Sequence, residues 1–278
     1  MHIVVCIKQV PDSAQIRVHP VTNTIMRQGV PTIINPYDLF SLEEALRLRD
    51  QFGGKVTVVT MGPKMAIEAL KKCIGYGADD AILLTDKVFA GSDTLATSFA
   101  LASAIAKIGE TVPVDMVFCG KQTIDGDTAQ VGPGIARRLG MQQLTYVAEI
   151  EKVDLEAGEI VAHRRSEGGV LVLKTKLPCL VTMLEGTNEM RFGTMDDLFR
   201  AARYEVTEWD HKAAGITMTS QCGLKGSPTV VKKVFAPPAK AVKAQMIATE
   251  GKSAREVADA LLGAVFVKHP KLETEIGQ

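Results

Sequence analysis

The stretch FCGKQTIDGDTAQVGPGIARRLG, residues 118–140, runs from an apolar segment through a small polar turn into a helical pattern. It gathers Asp125 and Asp127, Thr123 and Thr128, Gln122 and Gln130, with glycines at 120, 126 and 132, and contains no histidine. Residues of these types bind better than they react. Asp127 and Gln130 have capping-box-like spacing, which leaves the amides of Thr128, Ala129, Gln130 and Val131 as the unpaired donors of a helix start. Pro133 must then fall in the first turn or kink the helix. Such a start, with Gly126 and Gly132 admitting close backbone approach and Gly120 permitting the turn out of the strand, suits a phosphate or pyrophosphate. The same spacing also fits an ordinary strand-to-helix connection capped by Asp127, and residue types alone leave both readings open.

Two further stretches end at turns of the same kind. In INPYDLFSLEEA, Asn35 and Asp38 bracket Pro36, and TMGP at 60–63 closes an apolar run. Alone, the first reads as a turn with a helix cap and the second is uninformative.

Reactive constellations are missing. CIKQVPDS after the first apolar run holds no glycine, so the dinucleotide fingerprint is absent, and GKQT at 120–123 fails as a P-loop because its first glycine would be Asp115. The histidines (His2, His19, His163, His211, His269) lie far apart, and no Gly-x-Ser-x-Gly accompanies them. Cys6, Cys73, Cys119, Cys179 and Cys222 form no Cys-x-x-Cys and have no histidine at metal spacing, so no metal site and no disulfide framework is expected. A ligand loop without acid, base or nucleophile points to chemistry carried by a cofactor, with no catalytic residue of its own.

The elements that must position this loop are legible as alternation. Short apolar runs at 2–7, 55–61, 81–84 and 115–119 alternate with helical patterns at 35–54, 65–75 and 93–108 and, after the loop, a helix to Leu139, predicting a doubly wound α/β domain with a mostly parallel sheet. Ser41 and Glu44 offer a capping box for the first helix, and Pro20, Thr22 and Asn23 suggest a hairpin turn. Runs at 144–152, 159–164, 170–176 and in PCLVTML predict strands forming an antiparallel edge or second layer. From residue 207 the sequence loses its period, which predicts an extended arm followed by a helix over 253–267 with an apolar stripe of Val257, Leu261, Ala264 and Val265. The division expected is 1–206 and 207–278.

With 278 residues, 46% hydrophobic, and 32 basic against 32 acidic side chains, the chain can bury a sizeable core and has no field for nucleic acid or an anionic membrane. About six apolar residues before Lys8 fall short of a secretory leader or a membrane span, and the free-cysteine pattern fits the reducing cytoplasm.

Taken together and in this order, VVCIKQVPD, the Asn35–Asp38 turn, TMGP and above all GKQTIDGDTAQVGP resemble the beta subunit of electron-transfer flavoproteins, from Met1 to about Glu205 and more weakly through the arm. The resemblance implies an adenine-nucleotide-hydrolase-like fold and a heterodimer with an alpha subunit that the C-terminal arm and helix embrace. Ordinary members bury AMP in this subunit. A bifurcating and Fix-type branch holds FAD there instead, and this chain resembles that branch: it has Gly126-Asp127-Thr128-Ala129-Gln130-Val131-Gly132 where AMP types carry a bulkier Asp-Asp-Cys-Asn-Gln-Thr-Gly. Carried over by position, the nucleotide contacts are Cys6, Asn35, Asp38, Val58, Met61, Gly120, Gln122, Ile124, Asp125, Gly126, Asp127, Thr128, Ala129, Gln130, Val131 and Gly132. The function implied is hydride acceptance from NADH, with one electron passed to ferredoxin or flavodoxin. The other goes through the alpha-subunit FAD to an acyl-CoA dehydrogenase or quinone oxidoreductase.

NEMRFGTMDDLFRAAR resembles the segment that docks acyl-CoA dehydrogenases, with Met195 at the anchor position. Met195 and Leu198 are equally readable as core residues of a short helix. Where some relatives carry a lysine-rich segment, this chain has Arg200 and Arg203. An ordinary AMP-bearing beta subunit and a non-redox adenine-nucleotide module are the alternatives.

Overall fold

A computed structural model of the chain describes residues 1–12, 17–18, 25–26, 31–232, 246–269 and 271–272. The turn suggested at Pro20, Thr22 and Asn23 lies outside the described residues, but the strands on either side of it, β3 (Arg17–Val18) and β4 (Ile25–Met26), pair antiparallel.

The first strand, β1 (His2–Cys6), is buried along its whole length, which is why its sequence is a run rather than an alternation. After β2 (Gln9–Pro11) and β5 (Thr32–Ile34), which pair with each other, the chain enters α1 (Pro36–Phe52). Pro36 at the first helical position fixes this start. The capping box expected at Ser41 and Glu44 does not form, because both residues already lie inside the helix. The next elements are β6 (Lys55–Met61), α2 (Ile67–Gly75), β7 (Asp80–Leu84), α3 (Thr94–Gly109, capped by Asp93), β8 (Met116–Gly120) and α4 (Val131–Leu139). Four further strands build the far edge of the sheet: β9 (Gln142–Asp154), β10 (Glu159–Ser166), β11 (Gly169–Lys176) and β12 (Cys179–Met183).

The chain ends its first compact unit, Met1–Phe235, through α5 (Met195–Arg203) and β13 (Thr207–Trp209). Its nine-stranded sheet runs β11-β10-β9-β12-β8-β1-β6-β7-β13. From β9 to β13 every pairing is parallel, and β10 and β11 add the antiparallel edge. Helices α1 and α2 fill one face with Leu42, Leu46 and Leu70, and α3 and α4 fill the other with Leu101, Ile105 and Ile135, so the sheet is doubly wound. The arm read from residue 207 begins instead with a strand. Thr207, Glu208 and Trp209 pair with Ile82, Leu83 and Leu84, because three residues suffice to satisfy the open edge of β7 yet are too few to show a period.

The second unit, Ala236–Gln278, carries α6 (Ala254–Lys268). A capping box of Ser253 and Glu256 starts this helix, and Leu261, Leu262, Val265 and Val267 are exposed on it. No helix among the described residues is long and apolar enough to cross a membrane.

Candidate nucleotide site at the switch point of the sheet

From β1 the chain winds outward through β6 and β7, then returns to place β8 on the other side of β1. The topological switch point therefore lies between β1 and β8, and a ligand crevice belongs at their carboxyl ends. Residues 7–12 leave one side of this crevice and residues 120–130 the other.

Asp38 ties the two sides together. Its buried carboxylate accepts from the backbone N–H of Lys8 at 2.8 Å, the backbone N–H of Gly120 at 3.2 Å and the side-chain amide of Asn35 at 2.9 Å. Burial pushes Asp38 up to about 7 against the pull of these donors. Asn35 in turn holds the loop: its Nδ2 donates to the Gln122 carbonyl at 2.9 Å and its Oδ1 accepts from the Ile124 N–H at 3.2 Å. Asn35 is the N-cap of α1 by position but makes no side-chain cap, since both its polar atoms are committed to the loop. The ammonium of Lys8 closes the rim on Asp125 at 2.8 Å.

The helix start differs from the sequence expectation. Gln130, not Asp127, is the N-cap of α4, and its side chain accepts from the Thr94 hydroxyl at 2.8 Å. Asp127 is in the left-handed region, φ 54°, with its carboxylate taken by the Gln122 amide, so it is turned away from the cap. Ala129 is also left-handed, φ 55°, and is followed by the right-handed Gln130. Consecutive residues of opposite hand turn their N–H groups into one concave nest, an anion-binding shape. Among the described residues, none of the N–H groups of Thr128, Ala129, Gln130, Val131 and Gly132 makes a hydrogen bond. Pro133 falls in the first turn, as expected. A left-handed non-glycine residue costs about 1–3 kcal/mol, and the loop bears that cost at both Asp127 and Ala129.

The glycines divide by role. A Cβ on Gly120 would lie 2.4 Å from Asp38 Oδ1 and 2.6 Å from Tyr37 Cβ, and one on Gly132 would lie 2.8 Å from Thr182 Cγ2. These two are glycines because α1 and the sheet press against them. Gly126 is the least crowded of the three, a Cβ there meeting only the Thr123 hydroxyl, at 3.2 Å.

Other sites expected from the sequence fall where the topology puts them. Cys6 and Met61 end β1 and β6 at the crevice. Val58 is not brought there: it sits mid-strand, fully buried on the α1–α2 face. His211 pairs with Asp86 at 2.6 Å, and that hydrogen bond holds Asp86 down at about 2, so this histidine is taken up by Asp86 and not by the crevice.

Sequence reasoning missed one cluster. Lys121 lies over the rings of Tyr37 and Tyr146 at 5.4 and 5.7 Å, and the Arg164 guanidinium lies 6.0 Å from the Tyr146 ring. The Arg164 Nε is buried without a partner among the described residues. Tyr146 adopts φ 58°, where its N–H donates to the Thr182 hydroxyl at 3.1 Å. Two cations and two aromatic rings thus continue from the loop past the end of β12 to Tyr146 within β9 and Arg164 on β10, and no short motif encodes them.

The electron transfer flavoprotein domain family matches residues 22–214. The chain is 66% identical to "Protein FixA" of Azotobacter vinelandii over 278 residues, 100% of this chain and 99% of that protein. It is 43% identical over 97% of its length to the "Caffeyl-CoA reductase-Etf complex subunit CarD" of Acetobacterium woodii, covering 99% of that chain. The chain belongs to the electron transfer flavoprotein family. Similarity to the "Electron transfer flavoprotein subunit beta" of Clostridium acetobutylicum, 47% over 84% of this chain and 87% of that one, fixes it as a beta-like subunit of electron transfer.

In this electron transfer flavoprotein subunit the segment around Met195 is not core. Met195 is 65% exposed, Leu198 52%, Phe199 54% and Phe192 96%. Only Ala201 of α5 is buried. The patch is rigidly based: Arg191 forks onto the buried carboxylate of Glu43 with two bonds of 2.9 Å and reaches Asp50, while Thr194 and Asp197 form a capping box. An apolar group held this firmly in water is a docking surface or a liability.

Proposed function

We propose that this chain is the FAD-binding beta subunit of a heterodimeric, electron-bifurcating flavoprotein of the Fix type, paired with an alpha subunit in the cytoplasm. The observation that carries the reading is the loop at 126–132: unpaired N–H groups in a nest, next to a glycine whose added Cβ would meet only the Thr123 hydroxyl. A single phosphate would use the nest, and the absence of a side chain at Gly126 would keep the way to a second one clear. FAD held there would supply hydride acceptance from NADH and one-electron release to ferredoxin or flavodoxin and to the alpha-subunit flavin. The chain's own residues bind and orient. Backbone amides at 128–132 would hold the diphosphate, Asn35 and Asp38 hold the loop in register, and Lys121 and Arg164 add positive charge beside Tyr37 and Tyr146 next to the loop. The apolar patch of Phe192, Met195, Leu198 and Phe199 docks the high-potential partner, an acyl-CoA dehydrogenase or quinone oxidoreductase.

Cofactor release from the copurified heterodimer, with FAD and AMP counted per complex, tests the reading. Two FAD and no AMP support it. One FAD with one AMP would return the chain to the ordinary structural role, and no flavin at all would leave an adenine-nucleotide module.

Two substitutions sharpen the test. Gly126→Asp should lower FAD occupancy of this subunit severalfold while the melting temperature moves by no more than about 2 °C, the shift expected of a tolerated surface change. Its new Cβ meets only the Thr123 hydroxyl, which can rotate away. Full occupancy in that variant would refute the steric account. Met195→Glu, on an exposed position, should leave cofactor content intact and reduce electron delivery to the partner dehydrogenase by tenfold or more, a cost of about 1.4 kcal/mol in docking. Unchanged delivery would remove the patch from the docking surface.

A further inference from the structure

Cys6 and Cys119 lie directly opposite one another on the parallel strands β1 and β8, the two strands that flank the switch point. Both are free and buried, both lie in the layer beneath α3 and α4, and the Cys6 thiol is near enough to perturb that of Cys119. Neighbouring strands stand about 4.8 Å apart, inside the Cα separation of about 4.4–6.8 Å that a disulfide spans. Each cysteine is also coupled through the backbone to the nucleotide crevice. Cys6 lies two residues before Lys8, whose N–H donates to Asp38 and whose ammonium holds Asp125. Cys119 immediately precedes Gly120, whose N–H donates to the same carboxylate. A covalent link at this point would pull on both arms that Asp38 clamps.

We propose that Cys6 and Cys119 form a peroxide-responsive dithiol whose oxidation to a disulfide distorts the Asp38 clamp and releases the nucleotide held by the 120–132 loop. The release rests on the proposed nucleotide function; the cross-link does not. Hydrogen peroxide, the product of two-electron reoxidation of reduced flavin by dioxygen, is the oxidant. One sulfur attacks a peroxide oxygen: the S–O bond forms, the O–O bond breaks and water leaves, giving a sulfenic acid. The second sulfur attacks that sulfenic sulfur: the S–S bond forms, the S–O bond breaks and a second water leaves. Two thiols are thereby oxidised by two electrons and one peroxide is reduced to two waters. The neighbouring Cys6 thiol and burial both push the Cys119 thiol up, which keeps the Cys119 thiolate scarce.

The test treats the copurified heterodimer with hydrogen peroxide, alkylates remaining thiols and maps peptides without reduction. The expected result is a peptide joining positions 6 and 119 while Cys73, Cys179 and Cys222 remain alkylated, with nucleotide appearing in the ultrafiltrate in parallel. Dithiothreitol should reverse the link, and Cys119→Ala should retain its nucleotide at the same peroxide dose. The inference is overturned if Cys6 and Cys119 are both still alkylated once the exposed Met65 and Met246 have become sulfoxides, or if the link forms and the nucleotide stays. Because the cross-link is read by mass, its absence counts against the dithiol whichever nucleotide the site holds.

Discussion

Gly120→Ala is expected to destabilise the protein by about 3–5 kcal/mol and to empty the nucleotide site. The added methyl would stand 2.4 Å from a carboxylate oxygen of Asp38, 2.6 Å from Tyr37 Cβ and 2.8 Å from the Tyr37 backbone carbon. Overpacking of this kind costs about 1–3 kcal/mol when side chains can yield. Here the obstacle is the first turn of α1, anchored by Asn35 and by the bonds of Asp38 to Lys8 and Gly120. If α1 recedes, the Gly120 N–H loses its acceptor, a further cost of about 1–3 kcal/mol. For a chain of this size the sum lowers the melting temperature by about 10 °C. The matched control is Gly126→Ala, whose methyl meets only the Thr123 hydroxyl and should shift melting by no more than about 2 °C. Equal melting temperatures for the two variants would show that α1 and β8 are not locked together at Gly120.

The contrast between these glycines also shows what a sequence displays and what it hides. Buried parallel strands announce themselves, because a strand covered on both faces has no polar positions to interrupt it. The run at 55–61 coincides with β6, and that at 115–119 differs from β8 by one residue at each end. The crevice followed from strand order, and the loop that fills it was legible from its glycines and its position after β8. Its internal geometry was not. Asp127 and Gln130 have the spacing of a cap, yet Gln122, five residues before Asp127, claims that carboxylate, and a left-handed alanine gives no signal in its residue type. The capping box at Ser41 and Glu44 failed for a simpler reason: Pro36 at the first helical position starts α1 before them, so both lie inside the helix. The Arg191–Glu43 fork joins residues 148 apart in the chain, and the Tyr146–Lys121–Arg164 cluster depends on a single positive φ in β9. Neither leaves a local trace. Local chemistry was therefore readable where one element supplies it, and unreadable where folding brings separate elements together.

Asp38→Asn is expected to remove a pH dependence as well as stability. In the folded chain burial raises the Asp38 pKa from 3.8 to about 7. The folded state thus keeps a proton that the unfolded state has already lost, and between about pH 4 and 7 it binds more protons than the unfolded chain. Stability from this group is fully present below the unfolded value, falls as pH rises toward 7 and levels off above it. The slope is at most about 1.4 kcal/mol per pH unit. Asparagine does not titrate, so the variant lacks this slope. It also presents an NH₂ group where the second carboxylate oxygen stood, leaving the Lys8 N–H or the Gly120 N–H without an acceptor at a cost of about 1–3 kcal/mol. Near pH 5 the variant should therefore melt well below the parent, and near pH 8 the gap should narrow, because the parent then carries a buried charge that the variant does not. Melting of the copurified complex at both pH values, with cofactor occupancy measured alongside, reads the effect. A gap that is constant with pH would mean that Asp38 stays ionised throughout, with its three donors outweighing its burial.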